Sequence, residues 1–391
     1  MADRSGTSWC RVSTISQTVA SSPRCCRPIT LRIPQNRHCV TGRRTSELGS
    51  VARSRRTACA APLPLRRAMA ILGATCRKAG DSLDGQPEKA VTSPAHKYQF
   101  DLIAAALRAL ESRRGHPLID DPLAEVLVTA ANEPLSSAFL ATGFPENPSA
   151  ADGTFLLINA SGIFTRYGDD FIATELESGT RQVVQFVAGL DTRAYRLPWP
   201  ADAVLYEVDH PHTLEFRSRV LREHGAAASV TQRLVPAATT ADPWAEDLCV
   251  AGFDPEQPTA WLIAPLIMAG LPGQAQDLLF ERIIELSAPG SAICSDANIF
   301  LPSTETWDSL AEPVVPEDIR AANFWMLTYP DSRMPPADWL TGHGWATDVQ
   351  TAAEIAAHYG RPFTDDAPDI VKQHTQWQFL RAKLPHVHYP E

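Results

Sequence analysis

Between Gln182 and Lys383, short apolar runs alternate with amphipathic ones, and this alternation restricts the fold more than any other feature of the chain. Val183–Val187, Ala203–Val208 ("AVLYEV"), Val230–Val235, "PTAWLIAPLI" and "SAICSDAN" have the length and apolar character of buried strands. Helical runs lie between them. "PHTLEFRSRVLREHG" opens at Pro211 and stops at Gly225, "PWAEDLCVAG" is a short helix, and "PGQAQDLLFERIIELSAPG" starts after Pro272. Strands separated by such helices predict an α/β fold with a mostly parallel central sheet and helices on both faces.

The flanks complete this layout. "YQFDLIAAALRALESRR" carries apolar residues at helical spacing: Phe100, Ile103, Ala104, Leu107 and Leu110. "HPLIDDPLAEVLVTAA" restarts a helix, with Asp120 or Asp121 as N-cap and Pro122 at the first helical position. Residues 135–153 read as a loop, and "FLLINASGIFTRYGDDFIATELESG" as a helix ending at Gly179. Residues 300–345, rich in Pro, Trp and Met, read as an insertion: a lid over an apolar acceptor, or a completion of the core. "GWATDVQTAAEIAAHYGRP" then gives a strand and a helix, and "HTQWQFLRAKL" a last strand.

Charge divides the chain. Residues 1–80 hold fourteen arginines and one lysine against two acids, a net of +13, which leaves −23 for the rest of a chain that is −10 overall. Six of the eight cysteines (Cys10, Cys25, Cys26, Cys39, Cys59 and Cys76) also fall there. This segment has no helical or strand period, so residues 1–85 read as a disordered Arg/Cys-rich extension, with a non-native start ahead of Met69 as one origin. An organelle targeting peptide and a zinc or disulfide module are the other readings. Residues 86–391 form the folded domain. Its two cysteines, Cys249 and Cys294, suit a reducing, cytoplasmic setting. The acidic balance argues against nucleic acid as a partner, and the lack of a long apolar run against a membrane span.

In an open parallel sheet, ligands bind beyond the carboxyl ends of the strands, near the point where strand order reverses. Two stretches mark that edge: Val187-Ala188-Gly189-Leu190-Asp191 after the first strand, and Glu207-Val208-Asp209 at the end of the second. A glycine lets the backbone approach a ligand closely. A carboxylate can accept hydrogen bonds from both hydroxyls of a ribose. The spacing of about 20 residues suits a nucleotide-binding βαβ unit, and an ordinary tight turn with a capping Asp has the same appearance. The absence of G-x-G-x-x-G speaks against a nicotinamide-dependent oxidoreductase.

The runs "HPLIDDPLAEVL", "VAGLDTRAYRLPWP", "LYEVDHPHTLEFRSRVL", "AGFDPEQPTAWL", "LSAPGS" and "HYGRP" occur in one order along residues 93–383. In them the chain resembles the leucine carboxyl methyltransferase-like family, especially its actinobacterial members. The resemblance implies a Rossmann-like methyltransferase fold with an N-terminal helical cap, S-adenosyl-L-methionine as cofactor, no metal, and a small-molecule acceptor methylated on a carboxylate or hydroxyl, in secondary metabolism. It places Ala188, Gly189 and Asp191 in the cofactor loop and Asp209 on the ribose. Arg166, in "TRYGDDF", falls where the family has "RTRFFDDF"; it pairs the methionine carboxylate there, or is a surface residue of its helix.

Three departures from the family pattern surround this site. Val187 stands where a glycine or small residue usually opens the loop. The family's "VDLRDDW", with an Asp-Leu pair facing the adenine, is "PAATTADPW" here, so Ala238-Thr239 or Thr239-Thr240 takes the pair's place. In "WLIAPLIMAGLP", Ala264-Pro265 replaces a Glu-Gly between cofactor and acceptor. The expected cofactor contacts are therefore Arg166, Ala188, Gly189, Asp191, Asp209, Thr239, Thr240 and Ala264. Loss of two carboxylates also leaves room for a second reading: a repurposed fold, either a cyclase- or isomerase-type enzyme or a binding protein. Methyl transfer to a hydroxyl needs a general base. His210 follows Asp209 as such a base or as a helix-start residue, and His96, Tyr167 and His343 offer nothing clearer, so no catalytic residue is assigned.

Overall fold

The computed structural model describes residues 94–144, 153–237, 242–263, 271–297, 331–363, 369, 372 and 376–386. The basic extension, Thr239, Thr240, Ala264 and most of the expected lid lie outside the described residues.

Among the described residues four helices precede the sheet: α1 (Pro94–Ser112), α2 (Pro122–Ala131), α3 (Pro134–Thr142) and α4 (Gly153–Glu177). Asp121 caps α2 by accepting from the Ala124 amide, and Pro122 sits in its first turn, where no amide hydrogen is needed. The expectation of a loop over 135–153 is corrected by α3. Glu133 accepts from the Leu135 and Ser136 amides, and Pro134 opens the turn, so a Ser-rich stretch becomes helical.

The remaining elements are β1 (Gln182–Phe186), α5 (Arg193–Arg196), β2 (Val204–Asp209), α6 (Pro211–Glu223), β3 (Thr231–Pro236), α7 (Trp244–Val250), β4 (Thr259–Ile263), α8 (Gly273–Glu285), β5 (Ala292–Asp296), α9 (Pro336–Gly342), β6 (Ala346–Thr351), α10 (Ala352–His358) and β7 (Gln378–Lys383). They form one seven-stranded sheet ordered β3-β2-β1-β4-β5-β7-β6. β7 runs antiparallel to β5 and β6, and the other pairings are parallel. Strand order reverses between β1 and β4, so the switch point lies beside the turn after β1.

Both faces of the sheet are covered, as strands apolar on both sides require. Val184, Phe186, Tyr206, Trp261 and Ile293 pack one face against α7, α8 and α9, through Trp244, Phe280 and Trp339. Val183, Leu205, Leu262 and Cys294 pack the other face against α4 and α10, through Phe171, Ile172 and Ile355. α1, α2 and α3 share a third cluster with Leu190 of the β1 turn and Val220 and Leu221 of α6. The helical cap is thereby attached to the turn at the switch point. Among the described residues no helix is long and apolar enough to cross a membrane.

Candidate functional site: the β1–β2 junction

The turn after β1 is held from beneath. The Ala188 carbonyl accepts from the Asp191 amide at 3.1 Å. Arg217 on α6 donates to the Gly189 and Asp191 carbonyls at 3.1 and 3.3 Å, and Arg108 on α1 donates to the Leu190 carbonyl at 2.7 Å. Both guanidinium groups are buried and charge-balanced, Arg217 by Glu207 at 2.7 Å and Arg108 by Asp121 at 2.9 Å. A buried charge is tolerable when paired in this way. With its carbonyls engaged by arginines, the turn directs the Gly189 amide to the Asp209 carboxylate.

Backbone conformation sharpens the turn. Gly189 has φ of 55°, and a Cβ built on it would lie 2.8 Å from Asp101 Oδ1, so the position suits glycine on both counts. Val187 has φ of 58°. A β-branched residue in the left-handed region is strained by roughly 1–3 kcal/mol. The departure noted in the sequence therefore coincides with a backbone position that favours glycine.

Asp209 ends β2 and is almost wholly buried. Its carboxylate accepts from the Gly189 and His210 amides and pairs with Lys97 of α1, whose ammonium lies 2.9 Å from one oxygen and 3.1 Å from the other. Lys97 also meets Asp101 at 2.7 Å. Burial works to lower the Lys97 pKa, but Asp101 and Asp209 outweigh it and raise the group above its usual value. Asp101 is pushed up to about 6 by burial, with Lys97 opposing and Asp209 adding to the rise. Neither Lys97 nor Asp101 is marked by a local motif: Lys97 and Asp209 are 112 residues apart and meet only through the fold.

The other expected contacts separate. Ala188, Gly189 and Asp209 come together. Asp191 turns inward: its carboxylate accepts from the Arg193 amide at 2.7 Å and pairs with the Arg193 guanidinium, which in turn holds Asp169 at 2.7 Å. Burial would raise this carboxyl, but Arg193, Arg108 and Arg196 hold it far below the ordinary carboxylate range. Asp191 thus shapes the turn from within. Arg166 is occupied by Asp170 at 2.7 Å and the Leu118 carbonyl at 3.3 Å. Asp170 lines a cleft of about 550 Å³ with Tyr359 and Arg381, towards β7 and away from Gly189. His210 serves as the N-cap of α6, its ring accepting from the His212 amide. His343 stacks on Trp339, with ring centroids 3.8 Å apart, and Tyr167 is buried against Phe379.

A mostly parallel sheet with helices on both faces, and a glycine turn facing an acid at the switch point, is the arrangement expected from the sequence. A model of the family described as leucine carboxyl methyltransferase matches residues 101–284. A Mycobacteroides abscessus protein is 41% identical over 281 residues, covering 72% of this chain and 93% of that protein. The chain belongs to the leucine carboxyl methyltransferase family. A Rhodococcus jostii member is also 41% identical, over 71% of this chain and 92% of its own length. Each relative is named as a putative S-adenosyl-L-methionine-dependent methyltransferase. The fold is accordingly the Rossmann-like methyltransferase fold of this family, and the junction at Gly189 and Asp209 is its candidate cofactor site.

Proposed function

We propose that this family member transfers the methyl group of S-adenosyl-L-methionine to an oxygen of a small-molecule carboxylate or hydroxyl. The observation that carries the reading is the junction itself: a buttressed glycine turn whose amide meets one buried carboxylate at the switch point. These residues fit a nucleoside. Asp209 supplies acceptor oxygens for a ribose diol, and Gly189 permits the tight turn that brings its amide to Asp209 while Asp101 lies against its Cα. When bound, the cofactor supplies an electrophilic methyl group on a sulfonium. The protein's part is to orient and enclose it, through the arginine-held turn and the apolar helices beside it. Thr239, Thr240 and Ala264 remain expected contacts on the adenine and acceptor sides. Asp191 positions the turn.

A carboxylate acceptor needs no general base, and among the described residues of the junction His210 caps a helix and Asp209 is ion-paired. This favours a carboxylate acceptor over a hydroxyl. The test is label transfer from methyl-labelled cofactor to a panel of small carboxylic acids and phenols. Methyl esters release labelled methanol in alkali and ethers do not. Labelled ester is the expected product. Label on nitrogen, on carbon or on no acceptor, with cofactor bound, would reject O-methylation and favour the repurposed-fold reading.

A further inference from the structure

The side chain paired with Asp209, Lys97, is not one that a nucleoside site requires. Asp209 has two oxygens, and each already accepts one backbone amide, from Gly189 or His210. Their remaining capacity faces Lys97, whose ammonium lies within 3.1 Å of both. A ribose diol needs those same acceptor positions. Resting on the cofactor assignment above, we propose that Lys97 is a displaceable counter-ion: it occupies the diol's place on Asp209, and a nucleoside ligand enters by exchanging with it.

Three features make the exchange feasible. Lys97 lies in the first turn of α1, and its side chain is 28% exposed, whereas that of Asp209 is 1% exposed. The lysine can therefore withdraw towards solvent while the carboxylate stays. Asp101, one turn further along α1, already holds the ammonium at 2.7 Å and retains it after Asp209 is released. Asp101 also lies against the Cα of Gly189, so the ion pair that receives the lysine stands beside the turn. The cost of exchange is one of the lysine's two carboxylate partners, offset by the two hydroxyl contacts of the diol.

The test is Lys97→Met in the full chain, titrated with S-adenosylhomocysteine and, separately, with adenosine, which has the ribose but no amino-acid end. Both ligands are expected to bind at least fivefold more tightly than to wild type, and Lys97→Arg, which keeps a competing cation, to stay within twofold. Adenosine decides between roles. If S-adenosylhomocysteine weakens while adenosine is unchanged, Lys97 serves the amino-acid end and the proposal fails. Unchanged affinity for both ligands would make the lysine structural and would equally overturn it. If Lys97→Met does not fold because Asp101 and Asp209 then face each other, Lys97→Met with Asp101→Asn restores the charge balance, and the same gain is expected. Failure of both ligands to bind wild type and every variant would instead remove the cofactor assignment, and the proposal with it.

Discussion

At the residue scale, two positions combine backbone or charge features that local sequence does not reveal. Val187 has a positive φ. In the left-handed region a residue with a Cβ is worse than glycine by roughly 1–2 kcal/mol, so Val187→Gly should be more stable than Val187→Ala by about 1 kcal/mol, reversing the usual order. Urea unfolding of the two variants checks this, and alanine as the more stable would contradict the conformation. Asp101 is the second. Its folded pKa of about 6 lies above the unfolded value of about 3.9. The folded chain therefore holds this proton more tightly than the unfolded one. The group's contribution to stability is largest below about pH 4 and declines as pH rises through about 6. The stability of wild type minus that of Asp101→Asn should fall across that window, and a flat or rising difference would refute the raised pKa. The sequence showed that Val187 departs from the family but not its φ, because strain at one residue is set by the turn around it.

At the scale of elements, the turn after β1 depends on helices distant in sequence. Arg217 of α6 and Arg108 of α1 hold its carbonyls, and Glu207 of β2 balances Arg217. Removing one partner of a buried pair leaves the other charge uncompensated, typically at 3–5 kcal/mol. Arg217→Met should therefore destabilise the fold by about 3–5 kcal/mol. Adding Glu207→Gln should recover part of the loss, since burial already raises the Glu207 pKa and a neutral group is better tolerated there. Chemical denaturation of the two variants measures both effects, and a loss below about 1 kcal/mol would show that the pair does not hold the turn. The alternating elements were legible because buried parallel strands are apolar throughout and their helices carry Pro and Gly at the ends. α3 was not, because its cap is a Glu beside Pro134 and its interior contains two serines. The inward direction of Asp191 was not legible either. An acid after a glycine turn reads the same whether it faces a ligand or an arginine beneath, and only the placement of Arg193 decides.

At the scale of the molecule, the sheet order and family membership agree, and the site lies where the order reverses. Of the cofactor contacts expected from sequence, Ala188, Gly189 and Asp209 assemble, Asp191 and Arg166 are occupied by other partners, and Thr239, Thr240 and Ala264 fall outside the described residues. What local pattern could not supply was Lys97, brought to Asp209 by the docking of the helical cap. Deletion of residues 1–85 should leave the folded domain intact, since every described element lies beyond them. An unchanged melting temperature for the shortened chain is the expected result, and loss of soluble protein would contradict the assigned boundary. The central claim is that a nucleoside cofactor sits on Asp209, and the direct measurement is calorimetric titration of wild type and Asp209→Ala with S-adenosylhomocysteine. Two hydroxyl contacts to a carboxylate, at roughly 1.5–3 kcal/mol each, should separate the two proteins by on the order of a hundredfold or more. Saturable binding to wild type with that loss in the variant is the expected result. Equal affinity in the two proteins, or no heat with wild type at millimolar ligand, would contradict it.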